Sequence, residues 1–203
     1  MIKEIKDFKR IELFNHYHKG INPFIIITTK INVTNVVNYC KIHKNFYATL
    51  GFLITRTTNQ IDVFKYRYKN KKFYYCEEIL SGYTQILGDN NVAFFTVPFS
   101  DDFYKYKEEF ISNKESLLTN NNISTENKLN EIWLSCIPWF SYSGLIPPFN
   151  KEITIPQFIW DKYENINDEF FVNLTIVVHH GFADGYHISK FINLLEENIK
   201  SLV

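Results

Sequence analysis

Two adjacent imidazoles and a carboxylate crowd together near the end of this 203-residue chain, in His179-His180-Gly181-Phe182-Ala183-Asp184-Gly185. An imidazole titrates near neutrality, so a histidine held in position can take a proton from a hydroxyl at working pH. An alcohol is a poor nucleophile until that proton is removed. The run therefore predicts a general base at a structural corner.

The flanking segments show how such a base would be held. Upstream, Val172, Leu174, Ile176 and Val178 alternate with Asn173, Thr175 and Val177, predicting a strand that ends with His180 facing inward on its more apolar side. Downstream, Ile188, Phe191, Ile192, Leu195 and Ile199 recur at helical spacing, with Asp184 placed to cap the first turn and Gly185 to ease the corner. His180, Asp184 and His187 would form a metal-ligating face on one continuous helix. Gly181 and Gly185 argue against that helix, so no metal is expected.

The His-His-x-x-x-Asp-Gly run resembles the signature of the chloramphenicol acetyltransferase family. The opening Arg10-Ile11-Glu12-Leu13-Phe14-Asn15-His16-Tyr17 is similar to that family's Arg-x-Glu-x-Phe-x-x-Tyr, and Ser135-Cys136-Ile137-Pro138-Trp139 to its Ser-x-x-Pro-Trp. The likeness extends over nearly the whole chain, through the long helix near Phe46–Gln60 and the strand near Pro156–Tyr163. Longer condensation domains and plant-type acyltransferases share the histidine run, and chain length favours the shorter family.

The resemblance implies roles residue by residue. His180 would be the general base, its ring fixed by a bond to its own backbone carbonyl. Ser135 would donate to the oxyanion formed when an acceptor hydroxyl attacks acetyl-CoA, and Arg10 and Asp184 would form a buried structural ion pair. Tyr17, Phe24, Ile25 and Ile159 fall where the family lines its acceptor pocket. Trp139 and Tyr163 fall where it contacts CoA. The fold implied is an α/β two-layer sandwich with a mixed, largely antiparallel sheet packed by helices. The assembly implied is a homotrimer with active sites between subunits.

Three departures bear on the acceptor. Ile159 replaces a usual Thr that holds a water, Trp133 replaces a common Asn beside the serine, and Ile25 stands where Phe is frequent. These changes predict a drier, differently shaped pocket. Two alternatives stay open beside chloramphenicol acetylation: the same chemistry on another hydroxyl, and a non-catalytic relative that binds an apolar ligand.

Composition is compatible with one soluble domain spanning residues 1–203. At this length roughly 70% of the unfolded chain's surface can be buried. Hydrophobic residues make up 45% of the chain, yet no run approaches the ~20 apolar residues needed to span a bilayer. The charged opening Met1-Ile2-Lys3-Glu4 is unlike a signal peptide, predicting a cytoplasmic protein. Basic and acidic side chains balance at 22 each, so no net field draws nucleic acid or anionic membrane. Cys40, Cys76 and Cys136 lack disulfide or zinc spacing and are expected to be buried thiols.

Along the chain the pattern predicts a helix over 7–18, a strand over 24–33, a helix capped by Thr34, a helix over 47–59, a hairpin over 64–76 with a tip at Lys69-Asn70-Lys71-Lys72, and a helix over 100–118. A polar loop follows at 119–130, then strands over 129–139, 150–160 and 170–180. This mixed order points to an antiparallel or mixed sheet rather than a regular βαβ array.

Overall fold

A computed structural model describes residues 1–88, 91–120 and 128–202. In chain order its elements are β1 (Ile2–Ile5), α1 (Ile11–His18), β2 (Phe24–Asn32), α2 (Thr34–His43), α3 (Phe46–Asn59), β3 (Tyr66–Lys69), β4 (Lys72–Cys76), β5 (Leu80–Ile86), β6 (Val92–Val97), α4 (Phe103–Asn120), β7 (Glu131–Ile137), β8 (Gln157–Asp161), β9 (Glu164–Ile166), β10 (Glu169–His179) and α5 (Gly185–Lys200). The main sheet runs β2-β10-β8-β7-β5-β6, with β9 against the start of β10. β5–β7 and β7–β8 are parallel, and the other neighbours are antiparallel. A separate ribbon runs β1-β4-β3.

The two faces of this sheet differ. Val172, Leu174, Ile176 and Val178 of β10 join Leu50, Leu53 and Ile54 of α3 and Ile188, Phe191 and Leu195 of α5 in the main core. Each such fully buried side chain contributes about 1.5–3 kcal/mol. Among the described residues the opposite face carries a small cluster, Phe24, Ile159 and Val177, fringed by Ile26, Ile137 and Leu145. Beside it Thr28, Thr175, Ser135 and Thr84 present hydroxyls. Helices thus cover one layer only.

Two hairpins turn without glycine. Asn70 and Lys71 between β3 and β4, and Asn167 and Asp168 between β9 and β10, all have positive φ, the pattern of the two-residue turn that matches strand twist. The first falls at the expected tip.

Arg67 is the least expected core residue. Fully buried, it donates to the backbone carbonyls of Phe64, Tyr66, Leu129 and Glu131 at 2.6–2.9 Å. Burial pulls its pKa down to about 10. The β1-β4-β3 ribbon is thereby tied to the entrance of β7.

Several expectations need correction. The first helix starts at Ile11, not Asp7, because Ile2–Ile5 is taken up as a strand against β4. Thr34 does not cap α2. Its hydroxyl accepts the Phe170 N–H, while Asn32 accepts the Thr34 N–H. The strand expected over 150–160 is confined to β8, and β5 and β6 were not anticipated. Of the thiols only Cys76 is buried; Cys40 and Cys136 are half-buried against the core. Most of the polar loop at 119–130 lies outside the described residues.

Candidate active site

The corner after β10 is built by close contact with α1. A Cβ on Gly181 would stand 2.5 Å from the Phe14 Cα, so only glycine admits helix and turn this close. Gly185 meets nothing within 4 Å and has no such role. The turn also begins one residue earlier than the strand pattern implied. His179, not His180, is the buried imidazole, with 1% of its surface exposed.

His180 follows the strand end, its N–H donating to the Pro23 carbonyl at 2.8 Å. Its ring stacks on Tyr17, with centroids 4.0 Å apart and planes at 13°. Nδ1 lies 3.2 Å from the Ala183 carbonyl, not its own carbonyl as the resemblance implied. A carbonyl can only accept, so Nδ1 carries the proton and Nε2 keeps its lone pair. That is the tautomer a proton acceptor needs.

His179 is held differently. Its Nδ1 accepts the Gly181 N–H at 3.1 Å, its Nε2 is 3.3 Å from His18 Nδ1, and its ring stacks on Phe14 at 4.4 Å. Burial, then the neighbouring His18 and His180, push its pKa down to about 3, so it is neutral.

Asp184 caps α5, accepting the N–H groups of Tyr186 and His187. His187 Nδ1 also contacts the carboxylate at 2.8 Å, and the other Asp184 oxygen accepts from Arg10 at 3.1 Å. Partial burial pushes this carboxyl up, but the Arg10 and His187 bonds outweigh it and hold it at about 2. The pair is real but not buried. Arg10 and Asp184 keep 23% and 33% of their side-chain surface exposed.

Ser135 lies on the uncovered face of β7. Its Oγ accepts from Thr84 at 3.0 Å, leaving its own proton to be donated elsewhere. Phe24 and Ile159 share the small cluster on that face, whereas Ile25 packs against the main core on the other. The residue that looked as if it dried the site is flanked by hydroxyls. Thr175 pairs with Ile159, bonds Thr28 at 2.8 Å and donates to Tyr142, whose hydroxyl donates to the Ile159 carbonyl at 2.8 Å. Burial pushes the Tyr142 phenol up to about 12, so it stays protonated.

Trp139 and Tyr163 follow the C-terminal ends of β7 and β8, 63% and 41% exposed. Their segments meet where the Ser141 hydroxyl donates to the Lys162 carbonyl. His18, Thr84, Tyr142 and Thr175 carried no sequence signal beyond being polar. Register sets Thr84 beside Ser135 and Thr175 beside Ile159, and the segment after β7 brings the Tyr142 hydroxyl to Thr175.

The family model described as Chloramphenicol acetyltransferase matches residues 2–196. The chain belongs to the chloramphenicol acetyltransferase family. A Clostridium perfringens chloramphenicol acetyltransferase is 29% identical over 96% of this chain and 92% of its own, and one from Staphylococcus aureus is 28% identical over 96% and 93%. A solved chloramphenicol acetyltransferase superposes with a TM-score of 0.80 at 19% identity, covering 98% of this chain and 100% of that one. The fold is shared more widely. A truncated catalytic core of the 2-oxoacid dehydrogenase multienzyme complex from Thermoplasma acidophilum superposes with a TM-score of 0.71 at 16% identity over 98% and 99%.

Membership of this acyltransferase family sharpens the meaning of one distance. Ser135 pairs with Ile159, and Ile159 with Thr175, which precedes His180 by five residues on β10. Two strand spacings of ~4.8 Å and five residues at ~3.3 Å separate Ser135 from His180 by roughly 20 Å. Because β10 runs against β7 and β8, His180 is at one end of the sheet and Trp139 and Tyr163 at the other. Within one chain His180 and Ser135 do not meet.

Proposed function

We propose that this protein transfers the acetyl group of acetyl-CoA to the primary hydroxyl of chloramphenicol, and so inactivates the antibiotic, as a cytoplasmic homotrimer. His180 Nε2 takes the hydroxyl proton as the oxygen attacks the thioester carbonyl. Ser135 donates to the resulting oxyanion. Collapse breaks the C–S bond, and the imidazolium returns its proton to the sulfur, giving the ester and free CoA. Arg10 and Asp184 hold the start of α1 to the cap of α5, and Trp139 and Tyr163 offer aromatic surface to the CoA.

The observation carrying this reading is the His180 ring, with Nδ1 anchored on Ala183 and Nε2 left to accept. The separation of His180 from Ser135 supports a site in which one copy supplies the base and its neighbour the serine. The multienzyme cores that share the fold are consistent with assembly. The test is release of free thiol from acetyl-CoA. Thiol appearing with chloramphenicol present and lost in His180→Ala supports the proposal; no chloramphenicol-dependent thiol removes the acceptor from it.

A second reading keeps the chemistry and changes the alcohol. It is favoured by Ile159 and Trp133 beside the Ser135 row and by the Thr175 and Tyr142 hydroxyls that flank Ile159. Thiol release with a different hydroxyl compound, still dependent on His180, would support it.

A further inference from the structure

We propose that His18 is a positioning residue that holds the stacked Tyr17–His180 pair only while His18 itself is neutral. This rests on the reading of His180 as the base.

The argument follows hydrogens along a chain of rings. A backbone N–H can only donate, so the Gly181 N–H fixes His179 Nδ1 as an acceptor. Neutral His179 then carries its proton on Nε2, which faces His18 Nδ1 at 3.3 Å. His18 Nδ1 must accept, so the His18 proton is on Nε2, 3.6 Å from a Glu152 carboxylate oxygen. Every ring nitrogen has one permitted role.

A second proton on His18 has only Nδ1 to occupy, where it would oppose the N–H of His179. His179 cannot switch tautomer without opposing the Gly181 N–H. Protonation of His18 and its bond to His179 are therefore mutually exclusive, while Glu152 stands ready to pair with the protonated ring. The remaining groups against His18 are Phe14, stacked at 4.9 Å, and Tyr68, edge-on at 5.0 Å. His180, next to His179 and stacked on Tyr17, and the Arg10, Asp184 and His187 cluster beyond the turn are further titratable groups at this corner.

His18 is the last residue of α1, and its neighbour Tyr17 stacks on His180. The His18–His179 bond is thus a direct tie between the end of the helix bearing Tyr17 and the end of the strand bearing His180. Releasing it frees the last helical turn from the strand end and lets the base lose its stacked neighbour.

Two substitutions test this. In His18→Phe the ring packing stays and the acceptor is lost; in His18→Asn the side-chain oxygen stands where Nδ1 was and cannot titrate. Wild type should show an acid limb in kcat steeper than one ionisation gives. His18→Phe should lower kcat about tenfold with little change in KM for acetyl-CoA, and His18→Asn should keep kcat at neutral pH while its acid limb reverts to a single ionisation. Ring-nitrogen NMR should show His179 protonated on Nε2, and the His180 ring signals should shift in His18→Phe. Wild-type kcat, acid limb and His180 signals in both variants would overturn the proposal. Should His18→Phe fail to fold, the acid limb of His18→Asn decides. Turnover surviving in His180→Ala would instead defeat the reading of the base.

Discussion

Ser135 within β7 and His180 just past the end of β10 stand roughly 20 Å apart by strand spacing and rise. If one copy supplies the base and another the serine, two inactive variants can complement. In a mixed ring of His180→Ala and Ser135→Ala chains, about a quarter of the interfaces pair an intact base with an intact serine. Co-refolding the two should restore about a quarter of wild-type thiol release, against none for either alone. Failure to regain turnover in verified mixed oligomers counts against a shared site.

Ser135 and His180 should also differ in the size of their effects. Loss of an oxyanion donor typically lowers kcat by ~10²–10³-fold, and loss of a positioned base by ~10²–10⁴-fold. Ser135→Ala is expected to lower kcat by about two orders of magnitude with KM for acetyl-CoA nearly unchanged, and His180→Ala to cost at least as much. Steady-state kinetics on both variants make the comparison.

Because Arg10 and Asp184 keep contact with solvent, breaking their pair should cost less than stranding a buried charge. Asp184→Asn can still cap α5 and should lose about 1 kcal/mol; Asp184→Ala, which loses cap and pair together, should lose about 2 kcal/mol. Denaturant unfolding at neutral pH measures both. In acid the sign is set by the carboxyl's position at about 2 in the fold. Its stabilisation is complete above the unfolded value near 4 and disappears as pH falls through 2.

His179 gives the opposite kind of group a similar slope. Its folded pKa of about 3 is below the ordinary 6.5, so the unfolded chain binds more protons between those values. Stability should fall as pH drops from about 6.5 and level off near 3, by on the order of 5 kcal/mol over the window. His179→Phe keeps the stack on Phe14 and removes the titration. Its unfolding free energy should vary less with pH across that range, though it starts lower because the Gly181 N–H loses its acceptor.

Gly181→Ala would drive a methyl into the Phe14 backbone. Overpacking of this kind costs about 1–3 kcal/mol. Thermal unfolding should register the loss, and thiol release should fall with it because the same contact sets the His180 turn. The matching change at Gly185, where space is open, should alter neither by much.

The histidine run stands out because its residues are contiguous, whereas Arg10 and Ser135 stand out only through the resemblance of their local runs to the family's. The α5 cap was legible because Asp184 and its helix are contiguous. Faces were harder. Phe24 and Ile25 differ by one residue, and in a strand that step moves a side chain to the other side of the sheet. His180 was expected to face inward by the same parity, but the close approach of Phe14 to Gly181 ends the strand at His179. β1, with two charges in four residues, is a strand only through its pairing with β4. The hydroxyls around Ile159 come from Thr28, Thr175 and Tyr142, which no local pattern connects.

Arg67 has a consequence for how the chain matures. Among the described residues no acid pairs with its guanidinium, so its charge is tolerable only once carbonyls from residues 64, 66, 129 and 131 have gathered around it. Two of those four lie more than sixty positions downstream. The amino-terminal ribbon must therefore await the arrival of the second half before it can close, and a lysine, with three hydrogens for four acceptors and no planar fork, could not stand in.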